Sequence, residues 1–208
     1  MRIKHREHEP HVHPTAYVAP TAVLSGDVRI GAGSRILFGA VLTAEGGTIT
    51  IGENVIVMEH AVLRSTARDN LTIGNNCVVG PRSYLAGAEI HDEVFLATGS
   101  SVFNGAVIGA QCEVRINGTV HLRSVLAAGM MVPIGWIAVG NPAQIFSPGQ
   151  HEELWPLQAE QDFPGYVFGV DRGSPNAMVE ITERWSRSLS MHLDDEVIWH
   201  PEGPSTES

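Results

Sequence analysis

An aliphatic residue returns every six positions through most of the chain, and this period restricts the fold more than any other feature. The series runs Val18, Leu24, Ile30, Ile36 and Leu42, slips by three residues, and resumes at Ile51, Val57 and Leu63. After a four-residue slip it continues at Ile73, Val79 and Leu85. One residue is then missing, and Ile90, Leu96, Val102, Ile108, Val114, Val120, Leu126 and Val132 complete it. Four residues after many of these aliphatics stands something small, as at Ala22, Ser34, Ala40, Ala61, Cys77, Ser83, Ser100, Ala106, Cys112 and Ser124. An α-helix cannot keep a six-residue repeat on one face, because it turns every 3.6 residues.

The period predicts a solenoid. Each hexad is a short strand and a turn, and three hexads close one triangular coil of about 18 residues. The aliphatic points inward and the small residue fills a corner. One coil cannot bury its own aliphatics, so stacked coils form the core together. Glycine often follows the aliphatic, as at Gly31, Gly52, Gly74, Gly80 and Gly109, where it is expected to tolerate a turn that a β-carbon resists. The slips around Glu45–Thr48 and Ser65–Leu71 are expected to bulge from the wall, either as functional loops or as plain turns.

Cys77 and Cys112 are too few for a disulfide framework. Both hold the small inward position of one face, two coils apart, or roughly 9–10 Å at strand spacing. That is too far for a disulfide, and they read as core filling. The formal net charge of −10 argues against a nucleic-acid partner. The opening MRIKHREHEPH lacks the apolar stretch of a secretory signal, and no apolar run is long enough to span a bilayer. A cytoplasmic location, without membrane contact, is expected.

Asn141-Pro142-Ala143 closes the repeat. Beyond it, Pro148 to Gln161 reads as a helix that Pro164-Gly165 breaks. Asn176 to Met191 reads as a second, with Asn176 as cap and Met178, Ile181, Trp185 and Leu189 on one stripe. Both helices are expected outside the solenoid. The organisation is a lead-in over 1–14 that can form an edge strand, a β-helix over 15–147, a helical segment over 148–200 and a disordered polar tail over 201–208. The fold class is all-β: a single-stranded parallel β-helix of hexapeptide repeats with C-terminal α-helices.

The stretch His13-Pro14-Thr15-Ala16-Tyr17-Val18-Ala19-Pro20-Thr21-Ala22 resembles the opening of γ-class carbonic anhydrase-like proteins. So do Gly26-Asp27-Val28, Ile51-Gly52-Glu53-Asn54, the closing Val139-Gly140-Asn141-Pro142-Ala143 and the order of the slips. The resemblance covers roughly residues 13–147. It implies a left-handed β-helix, a homotrimer, and a C-terminal helix beside the barrel. It also implies a zinc site of three histidines between subunits. The corresponding positions here are Arg64, Pro81 and Ala86. Thr43-Ala44-Glu45 replaces a supporting Arg-Gly-Asp stretch, and Met58 replaces a glutamine near the metal-bound water. Zinc needs nitrogen, sulfur or oxygen ligands, and an arginine offers only donors. No cofactor is therefore expected, zinc included, and carbonic anhydrase activity is not.

The polar residues read near that position are Glu45, Glu59, His60, Arg64 and Arg82. Arg64 and Arg82 are candidates for holding a small anion or carboxylate by paired hydrogen bonds. His60, Glu59 and Glu45 are candidate general bases. Inter-subunit salt bridges are an equal reading of the same residues. His121 shares Arg64's row but stands three coils away, and His91 is on another face; each reads as a surface histidine. The His5, His8, His11 and His13 group can bind metal only weakly. The competing functions are an acyltransferase or thioesterase for coenzyme A thioesters, a carbonic anhydrase with a relocated metal site, and a structural trimer.

Overall fold

The computed structural model of the chain describes residues 1–198; the expected tail over 201–208 lies outside them. Short strands follow one another around a triangular coil and pair with the coils above and below. They form three sheets of ten, seven and seven strands. The solenoid predicted from the period is the observed architecture.

The period translates directly into register. Leu24, Leu42, Leu63, Leu85, Val102 and Val120 stack as one ladder in the ten-stranded sheet. Ile30, Ile51, Ile73, Ile90, Ile108 and Leu126 form the second. Val18, Ile36, Val57, Val79, Leu96, Val114 and Val132 form the third. All but the half-buried Val18 are buried, and together they make one continuous core. Every small residue of the corner series is buried too. Both cysteines are free, and Val94 stands between them in the row, its N–H donating to Cys77 Sγ at 3.4 Å. Burial pushes both thiols up in pKa.

The glycines after the aliphatics serve a purpose other than the expected one. Left-handed backbone falls at the corners instead, as in the row Gly33, Asn54, Asn76, Glu93, Gln111 and Gly129, all with positive φ. Gly31, Gly52 and Gly74 are not in that conformation; they sit where adjacent coils touch. A β-carbon on Gly31 would lie 2.4 Å from the Gly52 carbonyl oxygen. Close approach, not turn geometry, selects them.

The slips also behave differently from simple bulges. Their first residues lengthen the strands. Val41–Glu45 and Val62–Thr66 run for five residues each and stay paired as far as Thr66 opposite Glu45. Only then does the chain turn, over residues 46–48 and 67–70. The result is a two-stranded ledge projecting past the corner, with Arg64 and Glu45 on it.

The lead-in is an integral strand. Arg2–Lys4 pairs parallel with Val23–Ser25 on one side and antiparallel with Glu196–Ile198 on the other. At the far end of the same sheet Gln144–Phe146 folds back antiparallel on Ile137–Val139. Helix α1 (His151–Glu160) buries Leu154 against Val139 and Phe146. A turn of π-helix over Pro164–Phe168 follows, where the Pro-Gly break was expected. Helix α2 (Ala177–Leu189) starts after Asn176, whose side chain makes no capping hydrogen bond. Of its apolar stripe only Ile181 is buried, whereas Met178 is 67% exposed. The helix does not lie flat on the solenoid, and a pocket separates them. No helix of the described residues is long and apolar enough to cross a membrane.

Candidate functional site

The ledge and the C-terminal segment enclose a pocket of about 400 Å³. Its floor is the outer face of the ten-stranded sheet, from Arg64 to Ala86 and Phe103, with Tyr84 alongside. The opposite wall is Phe163, Val167, Phe168 and Trp185. The lining contains four arginines, Arg6, Arg64, Arg68 and Arg184, and one carboxylate, Glu45. These are four of only thirteen basic residues in a chain of net charge −10. A positive, aromatic-walled pocket in an acidic protein favours an anion with an apolar body.

The four guanidinium groups are not equivalent. Arg68 lies 4.1 Å over the Tyr166 ring and donates to the Tyr166 carbonyl at 2.7 Å. Arg184 donates to the Gly169 carbonyl at 2.6 Å. Arg6 reaches the Ser188 carbonyl at 3.4 Å. These three brace the C-terminal segment. Arg64 makes one long contact, 3.5 Å to Glu45, and lies 5.9 Å from the Trp185 ring centroid. With Arg6, whose buried Nε has no partner among the described residues, it is the least committed guanidinium in the pocket. Glu45 is itself shared, since both its oxygens lie 3.1 Å from His192 Nε2.

The Ser65–Leu71 turn anchors this arrangement. Asp69 accepts from the Tyr166 hydroxyl at 2.9 Å and from Asn104 Nδ2 at 3.3 Å. Burial and that bond to Asp69 hold the Tyr166 hydroxyl above its ordinary pKa. Behind Glu45, His192 Nδ1 faces Asp195 at 2.8 Å. Burial works to lower the His192 pKa, but its hydrogen bonds to Asp195 and Glu45 prevail and raise it. Burial likewise opposes ionisation of Asp195, yet hydrogen bonds from His192 and His5 bring it below the ordinary carboxylate value.

Of the candidates read from sequence, the fold brings Arg64, Glu45 and Ala86 into the pocket. His60, Glu59, Pro81 and Arg82 lie outside its lining. His60 and Arg82 occupy equivalent left-handed corner positions in adjacent coils, both with positive φ and both exposed. The His60 ring overlies Gly39 of the coil before it. Pro81, before that corner, is half-buried, and Met58 is half-buried on the same side. His91 is a surface residue paired with Glu89 at 3.0 Å. Arg64, Pro81 and Ala86 present no metal-ligating atom, so zinc does not fit these three positions. The aromatic wall was not foreseen. Its only sequence signal is the density of Phe, Tyr and Trp between Phe163 and Trp185.

His121 departs from the surface reading. It stands under α1, 3.2 Å from Gln161 Oε1 and 6.2 Å from the Phe103 ring. Burial lowers its pKa, with the Gln161 hydrogen bond opposing. The folded state therefore prefers the neutral ring, and the unfolded state binds more protons below its ordinary value near 6.5. This contribution to stability is complete above that value and is lost as pH falls through the lowered folded one. Denaturant unfolding between pH 7.5 and 5 should show a decline that His121→Gln reduces; equal declines would exclude this origin.

A parallel solenoid of hexapeptide coils with a side pocket defines a hexapeptide-repeat protein. No family model matches the chain. It is 30% identical over 152 residues to "Gamma carbonic anhydrase 1, mitochondrial" of Arabidopsis thaliana, across 70% of this chain and 53% of that protein. It is 29% identical over 145 residues to the carnitine operon protein CaiE of Escherichia coli, across 70% and 71% of the two. A putative acetyltransferase structure from Bacillus cereus superposes with TM-score 0.50 at 19% identity, covering 88% of this chain and 96% of that one, and shares the fold. Over 70% of its length the chain is similar to γ-carbonic anhydrases and to CaiE, and it shares their hexapeptide period. It spans about half the length of the γ-carbonic anhydrases it matches.

Proposed function

We propose that this protein is a γ-carbonic anhydrase-like trimer without the three-histidine zinc site, and that it binds a small organic carboxylate in the Arg64 pocket. The carrying observation is the pocket itself: four arginines against one glutamate, faced by aromatic rings, with Arg64 engaged only by a carboxylate that His192 shares. A guanidinium pairs with a carboxylate through two parallel hydrogen bonds, and the rings receive the apolar remainder. The resemblance assigns the zinc ligands to Arg64, Pro81 and Ala86, which cannot hold the metal. The sequence reading put the cleft between subunits, whereas this pocket is complete within one chain.

Acyl transfer from coenzyme A thioesters is the second reading, and hexapeptide acyltransferases share the architecture. It needs a general base within reach of the reacting group. No histidine lines the pocket among the described residues, and Glu45 is tied to His192. The lining supports binding better than acyl transfer.

Titration calorimetry with benzoate, hexanoate and bicarbonate at low ionic strength tests this reading. Wild type should bind at least one of the organic acids. Arg64→Ala should weaken that binding about tenfold or more, the scale of a lost charge-assisted hydrogen bond. Equal affinity in the variant, or no binding at millimolar concentrations, would sink the assignment. Carbon dioxide hydration should stay at the buffer rate.

A further inference from the structure

Behind the pocket, two histidines from opposite ends of the chain meet at one carboxylate. His5 follows the Arg2–Lys4 strand and is 2% exposed. Its Nδ1 lies 2.6 Å from Asp195 Oδ1. His192 Nδ1 lies 2.8 Å from the other oxygen of the same carboxylate. The two rings stack with centroids 4.3 Å apart. One ligand atom from each of His5, His192 and Asp195 falls within 4.8 Å of the others, the one such group of three among the described residues. We propose that these three residues bind a divalent transition-metal cation of the zinc class, and that Glu45 orients His192 for it.

The donor set is the first argument. Two imidazole nitrogens and a carboxylate oxygen suit zinc and its first-row neighbours, and they leave positions open for water. The second argument is the shell behind the ligands. A metal-bound histidine characteristically donates its other ring N–H to a carboxylate. Glu45 stands at His192 Nε2 for that role, 11% exposed and with both oxygens at 3.1 Å. With the proton held on Nε2, Nδ1 is free to ligate. His5 is aimed the same way. Its Nε2 is buried with no hydrogen-bond partner among the described residues, so Nδ1 alone carries its polar contact, toward Asp195.

Distances and charge agree with this assignment. Ligand bonds of about 2.0–2.1 Å in tetrahedral geometry hold neighbouring ligand atoms roughly 3.3 Å apart. The contacts of 2.6 and 2.8 Å to Asp195 would open by about 0.7 and 0.5 Å, and the stacked rings would splay so that both Nδ1 atoms face one point, movements that side-chain rotation supplies. Asp195 and Glu45 supply two negative charges, and Arg64 offsets only one, at 3.5 Å from Glu45. His192 is 32% and Asp195 19% exposed at the side chain, which gives an ion a path from solvent. The site is not at the positions of the resemblance. Of the four N-terminal histidines only His5 takes part. The ion would join the N-terminal strand to the C-terminal segment, with the ledge held to it through Glu45 and His192, so its binding should stabilise the fold.

The test uses the full chain without a histidine tag, stripped with chelator and then given Co²⁺ or Zn²⁺. One cation per chain should survive gel filtration by elemental analysis, and Co²⁺ should give visible absorption from a nitrogen- and oxygen-ligated site. The melting temperature should rise with either ion. His192→Ala and Asp195→Asn, both at partly exposed positions, should each weaken uptake at least tenfold, and Glu45→Gln by less. His5→Ala removes a buried ring and is informative only where circular dichroism shows a folded chain. Wild type that retains no more metal than His192→Ala, with a melting temperature indifferent to both ions, would overturn the site. So would a His192 ring that titrates unchanged by NMR under saturating Zn²⁺, because its nitrogens would then hold only protons, toward Asp195 and Glu45.

Discussion

Leu63→Ala is expected to lower the free energy of unfolding by about 2–5 kcal/mol, the range for a leucine truncated in a packed core. Leu63 is fully buried and stands between Leu42 and Leu85 in the ladder of the ten-stranded sheet. A solenoid coil has little freedom to close a cavity, because its neighbours hold it on both sides at fixed strand spacing. The cost should therefore fall toward the upper end. The ledge begins at this residue, so Arg64 and the pocket floor should loosen as well. Urea denaturation of wild type and variant measures the difference. A change below about 1 kcal/mol would mean that the ladder repacks.

Gly31→Val should produce the second large effect, and for the opposite reason. Here the problem is excess volume. A β-carbon at position 31 would meet the Gly52 carbonyl oxygen at 2.4 Å and its carbon at 2.7 Å, both backbone atoms that cannot rotate away. Overpacking of this kind costs about 1–3 kcal/mol or more, and valine's branches add to it. Gly129→Asn is the matching control. Gly129 has a positive φ, nothing lies within 4 Å of its added β-carbon, and asparagine already fills that corner at Asn54 and Asn76. It should cost well under about 1 kcal/mol. Thermal melts of both variants would separate close approach from turn geometry, and equal losses would refute the distinction.

These two positions show why much of the fold was legible and the site was not. A six-residue period becomes strand register with no further information, so each aliphatic in the series could be placed in a ladder from its number alone. The purpose of glycine could not be read that way, because it depends on the distance between coils, a quantity the period does not contain. The pocket was half legible. Arg64 and Glu45 lie on the periodic part of the chain, and the slips located them. Phe163, Phe168, Trp185 and Arg184 lie on an aperiodic segment whose docking no spacing specifies. The stripe on α2 suggested direct packing, yet Trp185 and Leu189 face a pocket while Met178 faces solvent. His60 was drawn toward Arg64 by nearness in sequence, but the corner between them turns its ring onto Gly39. His5 and Asp195 are 190 residues apart and meet only because Arg2–Lys4 pairs with Glu196–Ile198 at one edge of the ten-stranded sheet.

That pairing bears on the open ends of the solenoid. A stack of parallel coils is open-ended by construction, and a coil from another copy could in principle continue it. In the ten-stranded sheet both ends are closed by a strand of reversed direction, Glu196–Ile198 at one and Gln144–Phe146 at the other. A coil of another copy stacked in the same direction would there have to pair antiparallel, and could not continue the parallel register. The other two sheets end in strands of two residues, too short to nucleate pairing alone. The same reversed strands that bring the C-terminal segment over the pocket thus interrupt the parallel repeat at both edges of this sheet.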